Sequence, residues 1–256
     1  MSTVDEVAPD VFRVAGTAVN AVILRDGAAL TLIDGGYPRD VDTIERAVRS
    51  LGRRPEDIEA MLLTHAHIDH MGALAAFHDR CGIPVYTDPT EVAHARRDYL
   101  EQATATDFIP MLHRPGVLPW LLRIARAGAT RKVSLGGARP FQTSGARPFR
   151  TGGPLDLPGA PVPVATHGHT SGHTAFHLPQ HRVVITGDAL VTAHPLSTAV
   201  GPQLLPPVFD HGGPDTLAAL DHLAALDADV ILPGHGPALS LPIADAVAEV
   251  RERERR

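Results

Sequence analysis

The sequence predicts an α/β fold whose two halves follow one pattern of organisation. Short apolar runs, at residues 61–63, 162–165 and 230–232 among others, have the length and composition of buried strands. Each of these runs ends in a polar segment rich in histidine, aspartate and glycine. Segments with the apolar spacing of amphipathic helices separate the runs. Strands that alternate with helices are typical of α/β folds, which bind ligands beyond the carboxyl ends of their strands.

The first half begins with predicted strands at residues 11–14, 21–25 and 30–33, and Asp26 with Gly27 is typical of a hairpin turn. Residues 41–51 are expected to be helical, because their apolar side chains recur on one face. The remaining predicted elements of this half are a strand that ends at residue 64, a helix over 72–80, a strand over 83–87 and a helix over 89–102.

The second half begins near Leu155 and repeats the succession of strand and polar loop. Its predicted strands lie at residues 162–165, 183–186 and 230–232, and a helix is expected over 214–226. A last helix runs from Pro242 into an arginine- and glutamate-rich tail, which we interpret as a solvated, frayed helix end.

The most informative segment is His-Ala-His-Ile-Asp-His at residues 65–70. In an extended segment His65 and His67 point the same way, since side chains alternate faces. Asp69 and His70 follow at once and can face a second position. Imidazole and carboxylate are ligands for zinc, iron or manganese, so the hexapeptide indicates a metal centre. The alternative is a histidine-rich surface loop.

Three further segments favour the metal centre. Residues 166–173 contain His167, His169 and His173, residues 187–188 are Gly-Asp, and residues 233–236 are Pro-Gly-His-Gly. Each segment directly follows a predicted strand, where loops are free to carry ligands on a rigid sheet. Glycine beside each potential ligand permits a tight turn close to an ion.

In combination, the motifs HxHxDH, GHTxGH, GD and GHG resemble those of the metallo-β-lactamase fold superfamily of metal-dependent hydrolases, over residues 11–236. The resemblance implies a four-layer αββα sandwich of the metallo-β-lactamase type, with a basic, partly helical insert between the two halves. We expect one such domain over residues 1–256, in which residues 104–153 form an inserted, lid-like segment.

The resemblance also implies a set of seven metal ligands. A first metal ion would be held by His65, His67 and His169, a second by Asp69, His70 and His235, and both would be bridged by Asp188. We expect two Zn²⁺ per chain, with iron or manganese as alternatives, because the same ligand types serve all three metals.

Further roles in the site follow from the same resemblance. Asp34 matches the family's early aspartate, which orients ligands, and His173 is expected to support the site through a hydrogen bond. Asp69 would act in catalysis by orienting the nucleophile and passing its proton to the leaving group. His167 stands where many relatives have proline, as either a pocket residue or a tolerated loop histidine.

The insert carries a concentrated positive charge. Residues 108–155 contain seven arginines and one lysine but no acidic residue, which leaves the rest of the chain at −14 against −6 overall. The helix predicted at 119–126 contains Trp120, Arg123 and Arg126, which are our candidates for contact with an anionic or carrier-linked small-molecule substrate. The alternative is that these arginines pair with the acidic remainder and only fasten the lid. A heptapeptide at 137–143 is echoed at 145–151, as a duplicated surface loop would be.

Composition narrows the class of protein. With 256 residues and 44% hydrophobic content, the chain can bury a large core, and no apolar run approaches the roughly 20 residues that cross a bilayer. The first residues lack a secretory leader, and the single cysteine, Cys81, excludes an internal disulfide, so a cytoplasmic protein is expected. A pI near 6.2 argues against nucleic acid as partner.

These observations predict a dinuclear metal-dependent hydrolase of a small-molecule ester, lactone or thioester, in which a hydroxide bridges the metals. A different class also remains open, a persulfide dioxygenase-like enzyme with one iron held by His65, His67 and His169. A β-lactam hydrolase, a nuclease and a binding protein with a decayed site are disfavoured. Glyoxalase II resembles the motif set, but the roughly 20 residues after His235 leave little room for its glutathione-binding region.

Overall fold

The computed structural model describes residues 4–141, 153–211 and 214–255, and a mixed sheet of seven strands forms its first half. The strand order is β1 (Val4–Ala8), β2 (Val11–Ala15), β3 (Asn20–Asp26), β4 (Ala29–Ile33), β5 (Ile58–Leu62), β6 (Val85–Thr87) and β7 (Arg139–Pro140). Strands β1 to β4 pair in antiparallel fashion, and β4 to β7 are parallel.

A second mixed sheet of five strands forms the other half. Its order is β12 (Leu239–Ser240), β11 (Val230–Pro233), β10 (Val183–Gly187), β9 (Thr174–Leu178) and β8 (Val162–Ala165). Strands β10 and β11 are parallel, whereas the other pairs are antiparallel. The carboxyl ends of β10 and β11 therefore reach the same edge of the sheet.

Six α-helices are present in the described residues. They are α1 (Val41–Ser50), α2 (Ile68–Cys81), α3 (Glu91–Ala95), α4 (Val117–Ala127), α5 (Pro214–Ala224) and α6 (Ile243–Glu254). Buried residues of α1 and α2 form one core with the first sheet, and those of α5 and α6 form another with the second sheet. No helix in this part of the chain has the length and apolar character needed to cross a bilayer.

Alternation along the strands separates the layers. On β3, Ile23 packs towards the helices, whereas Val22 and Leu24 pack against the second sheet. On β5, Met61 and Leu62 divide in the same way. Full burial of an aliphatic side chain adds about 1.5–3 kcal/mol to the free energy of unfolding. The buried side chains on both faces of each sheet therefore contribute to the stability of the fold. The order of layers is helix, sheet, sheet, helix, and the predicted αββα sandwich is confirmed.

A further apolar cluster packs a 3₁₀ segment (Ala105–Met111) and α4 against residues of the sandwich that include Tyr37 and Ile68. We call these two segments the lid. The buried side chains of α4 include Trp120 and Ile124. The Trp120 ring lies 5.4 Å from that of Phe108 and 6.1 Å from that of Phe209, between ring centroids. The amphipathic helix predicted within the insert is therefore present.

Two helix boundaries differ from the prediction. Helix α2 starts at Ile68 and not at residue 72, because the carbonyl of His67 already accepts the amides of His70 and Met71. Helix α3 ends at Ala95 and not near 102. Arg97 adopts a left-handed φ of 67°, and its guanidinium donates to the Ala66 carbonyl at 2.7 Å, which ends the helix.

Four strands were not predicted, namely β1, β9 and the two-residue strands β7 and β12. Strand β9 is buried along its whole length, so it lacks the alternation that marks a half-exposed strand. The second copy of the repeated heptapeptide, with Arg147 and Arg150, lies outside the described residues. In the first copy, β7 extends the first sheet next to β6.

Candidate metal centre

All seven predicted ligands meet at one end of the sandwich, in loops that follow strands of both sheets. His65 and His67 lie between β5 and α2, and Asp69 and His70 occupy the first turn of α2. The other three follow β8, β10 and β11 and are His169, Asp188 and His235. All are buried except Asp69, which is partly exposed. The chain thus brings together residues that are up to 170 positions apart.

The potential ligand atoms divide into the two predicted groups. His65, His67, His169 and Asp188 form one group, and Asp69, His70 and His235 form the other, with ligand atoms in each group within 4.8 Å of one another. Asp188 lies between the groups. Its Oδ2 is 3.7 Å from His65 Nε2, 3.5 Å from His169 Nε2, 3.4 Å from His70 Nε2 and 3.3 Å from His235 Nε2.

The residues fit a divalent metal ion, because several of their buried nitrogen and oxygen atoms have no hydrogen-bond partner in the part of the chain that the structure describes. His65 Nε2, His70 Nε2 and Asp188 Oδ1 are buried and have no hydrogen-bond partner among the described residues. Buried polar atoms are normally paired, because leaving one unpaired costs about 1–3 kcal/mol. Imidazole nitrogens and carboxylate oxygens that converge in this way are suited to zinc, iron or manganese.

Asp34 fixes the outer nitrogens of two ligand rings. His70 Nδ1 donates to Asp34 Oδ2 at 2.8 Å, so His70 Nε2 is left to face Asp188. The hydroxyl of Thr64 donates to the same oxygen at 2.8 Å and accepts from His65 Nδ1 at 3.0 Å. Each imidazole is thereby held in the tautomer that presents Nε2.

Two further ligand rings are oriented by backbone carbonyls. His235 Nδ1 donates to the Ala18 carbonyl at 2.7 Å, and His67 Nε2 donates to the Glu101 carbonyl at 2.5 Å. His67 therefore presents Nδ1, which lies 3.2 Å from His169 Nε2. The sequence did not identify either supporting position, since a carbonyl is common to every residue and gives no sequence signal.

Glu91 is a buried carboxylate that joins the two metal-binding loops, and the sequence also missed it. Its Oε1 accepts from the Ala66 amide at 2.7 Å, between two ligands of the first loop. Its Oε2 accepts from the Thr170 hydroxyl and the Gly172 amide, both at 3.0 Å, in the second loop. His94 Nδ1 donates to Oε1 at 2.7 Å.

The segment after α3 continues this support. The Glu101 amide donates to His94 Nε2 at 3.2 Å, while its carboxylate accepts from the Ser171 amide at 2.7 Å. Glu101 is thus held from both sides at the point where its carbonyl orients His67. A short helix predicted only from its apolar spacing therefore contributes the outer hydrogen bonds of the metal centre.

His173 contacts the centre without joining either ligand group. Its Nδ1 donates to the Thr166 hydroxyl at 2.8 Å, and its Nε2 accepts the Asp188 amide at 3.0 Å. Close packing around Asp188 also requires glycine at residue 234, where a Cβ atom would lie 2.2 Å from Asp188 Oδ1. The backbone of Asp188 is therefore held by a buried ring, and its carboxylate by close neighbours.

Electrostatics favour the metal-binding form in one ligand group and oppose it in part of the other. Burial lowers the pKa of His65 and of His67 well below the usual value, and lowers that of His169 to about 4, so these rings are neutral near pH 7. Burial opposes ionisation of Asp188, but His235 and His70 outweigh it and hold the pKa of this carboxyl well below its usual value. Metal binding requires neutral imidazole and ionised carboxylate. Burial lowers the pKa of His70 and of His235, but Asp188 outweighs it and raises the pKa of both rings, so a metal ion would have to displace a proton there.

A cavity of about 370 Å³ opens directly onto the metal centre. Five of the seven ligands contribute to its floor: His67, Asp69, His169, Asp188 and His235. Its other walls are mostly apolar. The lid contributes Phe108, Trp120, Leu121 and Ile124, and residues outside the lid contribute Phe209. The few polar side chains that reach it besides the ligands include Tyr37 and His194.

The predicted substrate-contacting residues fall in different places. Trp120 lines the cavity, whereas Arg123 and Arg126 are exposed and are not among its lining residues. Arg123 instead lines a neighbouring, more open cavity together with His194. His167 also lies outside the lining, and its Nε2 is 3.3 Å from Asp88 Oδ2. This hydrogen bond raises the pKa of His167.

The described part of the insert does not show the alternative in which its arginines pair with acidic residues elsewhere. Within residues 4–141, 153–211 and 214–255, no carboxylate forms an ion pair with Arg114, Arg123, Arg126, Arg131 or Lys132. The lid is held by its apolar face, and its cations remain available to solvent.

Comparison with known proteins agrees with this geometry. The family model described as the metallo-beta-lactamase superfamily matches residues 14–235. The chain belongs to this superfamily. Its membership of this superfamily identifies it as a metal-dependent hydrolase with the α/β fold described above.

Individual relatives are distant and differ in length. "Probable metallo-hydrolase YflN" of Bacillus subtilis is 26% identical over 81% of this chain and 75% of its own length. "Hydroxyacylglutathione hydrolase" of Ruegeria pomeroyi is 32% identical over 78% of this chain but 57% of its own length. A solved metallo-beta-lactamase family protein of Thermus thermophilus has a TM-score of 0.59 and 25% identity, and the match covers 93% of this chain and 74% of that one.

Proposed function

We propose that this protein is a dinuclear metal-dependent hydrolase of a small-molecule ester, lactone or thioester with an apolar acyl group. The observation that carries the proposal is the cavity itself. Its floor is formed by potential metal ligands and its walls by aliphatic and aromatic side chains of the lid. An acyl chain buried against these walls would bring its carbonyl carbon to the floor.

Two ligand groups support a dinuclear centre over a mononuclear one. The second group, Asp69, His70 and His235, is as complete as the first and shares Asp188 with it. We propose Zn²⁺ as the metal, with iron or manganese as alternatives. When bound, such ions lower the pKa of a coordinated water and polarise an acyl oxygen.

Asp69 is the carboxylate placed to move a proton. It lines the cavity, and its side chain remains 16% exposed while the other ligands are buried more deeply. Hydrolysis adds water across the acyl bond, so that hydroxyl joins the carbonyl carbon and a proton joins the departing oxygen or sulfur. We assign the transfer of that proton to Asp69.

Among the three bond types, a thioester is our first candidate. The support is the 32% identity with a hydroxyacylglutathione hydrolase, of which this chain spans only 57%. A large leaving group, such as a carrier, would remain outside the apolar cavity, on the side where the unpaired cations of the lid lie.

The test is hydrolysis of three decanoyl substrates that share one acyl group, a coenzyme A thioester, a homoserine lactone and a phenyl ester, by protein loaded with zinc, iron or manganese. We expect turnover of at least one of the three. For that bond type, a series of acyl groups from acetyl to decanoyl should give a kcat/KM that rises by up to about fourfold per methylene. A kcat/KM that does not change with the length of the acyl chain would contradict the acyl-binding role of the cavity. If iron-loaded protein consumed oxygen in the presence of a persulfide and hydrolysed none of the substrates, the dioxygenase alternative would replace this proposal.

A further inference from the structure

His194 lies where the metal centre meets the lid. Its ring centroid is 5.3 Å from that of the ligand His235, 5.6 Å from that of Trp120 and 5.0 Å from that of Phe209. It follows Asp188 by six residues, is 6% exposed and lines the cavity. No motif singled it out, and it belongs to neither potential ligand group.

A backbone hydrogen bond fixes which nitrogen of this ring carries the proton. The Leu196 amide donates to His194 Nδ1 at 3.1 Å, so Nδ1 is the acceptor and the proton resides on Nε2. The local turn is closed a second time by the Ser197 amide, which donates to the His194 carbonyl at 2.9 Å. Among the described residues, no acceptor is within hydrogen-bond distance of Nε2.

A neutral, buried N–H donor on the wall of a hydrolase cavity has a specific use. During acyl transfer, negative charge develops on the carbonyl oxygen, and a donor already in place stabilises that charge without reorganising. The His194 ring packs against the rings of Trp120, Phe209 and His235, and the Leu196 amide holds its Nδ1. Its donor is therefore preorganised.

We propose that His194 is a catalytic residue that donates its Nε2 hydrogen bond to the acyl oxygen of the substrate. The inference rests on the proposed function, because it assumes a carbonyl substrate in this cavity. It also narrows the substrate class. The site is suited to acyl compounds whose carbonyl is next to a linear apolar chain, since the ring contacts the metal centre on one side and Trp120 on the other.

Two variants distinguish the effect of the Nε2 hydrogen-bond donor from the effect of the aromatic packing of the ring. His194→Phe retains an aromatic ring against Trp120 and Phe209 but removes the donor, and His194→Gln returns an N–H near the position of Nε2. With the decanoyl substrate that the wild type turns over, we expect His194→Phe to lower kcat about 100-fold with KM changed less than about threefold. His194→Gln is expected to recover most of that loss. Metal content should be unchanged in both variants, because His194 supplies no ligand.

Tyr37→Phe provides the matched comparison, since Tyr37 is the other buried polar side chain of the cavity wall. A loss of kcat in Tyr37→Phe with full activity in His194→Phe would transfer the donor role to the phenol and overturn the assignment. Loss of metal from His194→Phe would likewise overturn it, by showing that the ring acts through His235.

A binding measurement keeps this test independent of turnover. Decanoate is the carboxylate product of the proposed reaction, and its titration into metal-loaded protein requires no catalysis. We expect its affinity to fall about 10-fold in His194→Phe and to return in His194→Gln. Equal affinity in all three proteins, or no binding to any of them, would contradict the donor role. Wild-type protein that binds decanoate through His194 yet hydrolyses none of the substrates would instead contradict the proposed function alone.

Discussion

The metal centre and the lid enclose the same cavity but are held together by different forces. In the metal centre, buried rings and carboxylates form hydrogen bonds of 2.5–3.0 Å, many of them between distant loops. In the lid, α4 is held by contacts among Phe108, Trp120, Ile124 and Phe209, and its outer face exposes Leu118 and Leu122. Directional bonds hold the first region, and non-directional apolar packing the second.

This difference assigns different tasks to the two regions. A hydrogen-bonded centre has one arrangement, because the groups around the ligands are paired with one another, and a single replacement there leaves a buried group unpaired. An apolar wall accepts several shapes and loses affinity in proportion to the area removed. We therefore expect changes in the metal centre to abolish the reaction, and changes in the lid to alter which substrate is used.

The largest effect is expected for Asp188→Ala. Its Oδ2 lies 3.3–3.7 Å from four imidazole nitrogens, so its removal leaves both ligand groups incomplete. We expect kcat to fall at least about 1000-fold. Metal content measured by atomic emission should fall in parallel. Asp221→Ala, which removes an exposed carboxylate paired with Arg251, is the control and should match the wild type. Near-normal turnover by Asp188→Ala would contradict the metal mechanism.

A smaller effect is expected for Glu91→Gln, which contacts no potential metal ligand side chain. The substitution removes the charge and one acceptor from a carboxylate that joins the Ala66 and Gly172 amides. Metal affinity, measured by competition with a chelator, should fall about 10- to 100-fold. Glu59→Gln, at an exposed position of β5, is the control. If Glu91→Gln bound metal as tightly as the wild type, the two loops would not depend on this carboxylate.

For the lid, Trp120→Ala should change selectivity more than chemistry. The indole packs between Phe108 and Phe209 and lines the cavity, so its loss shortens the apolar wall. We expect kcat/KM for a decanoyl substrate to fall about 10-fold, and that for an acetyl substrate to change less than about twofold. Leu118→Ala alters the exposed face of the same helix and serves as control. An equal loss for both substrates would show that the lid supports the centre itself.

The smallest effect is expected for Arg123→Gln combined with Arg126→Gln. Both guanidinium groups are exposed and outside the cavity, so they can act only on the part of a substrate that remains in solvent. KM for an anionic coenzyme A thioester should rise about threefold at low salt, and the difference should vanish near 0.5 M salt, where charges are screened within about 4–5 Å. KM for a neutral ester is expected to remain constant. Equal changes for both substrates would exclude an anion-binding role for these arginines.

The sequence predicted the position of the metal centre because its signals are carried by side chains. Histidine and aspartate beside glycine, each directly after an apolar run, marked the same strand ends that the fold brings together. The αββα layers followed from the same motifs through the family resemblance. The motif residues His65, His67, Asp69 and His70 were found without knowledge of the helix start, which the prediction placed four residues too late.

The supports of the centre could not be predicted, for two physical reasons. Ala18 and Glu101 act through their backbone carbonyls. Every residue has such a group, so the sequence does not indicate which carbonyls orient ligand rings. Glu91 lies in a segment with ordinary helical spacing, and its partners in the two metal-binding loops are 25 to 81 positions away. Short-range patterns do not reveal bonds that form only once the two halves have packed together.

The origin of the seven ligands also has a consequence for how the chain matures. Four come from the first half, between residues 65 and 70, and three from the second, so neither half alone supplies a complete centre. A nascent chain that has exposed only its first half can offer a metal ion no more than a partial and weak site. Tight capture must wait until the second sheet docks onto the first. Metal ions held by ligands from both halves would cross-link them after folding, and we expect their removal to loosen the junction between the halves before either sheet unfolds.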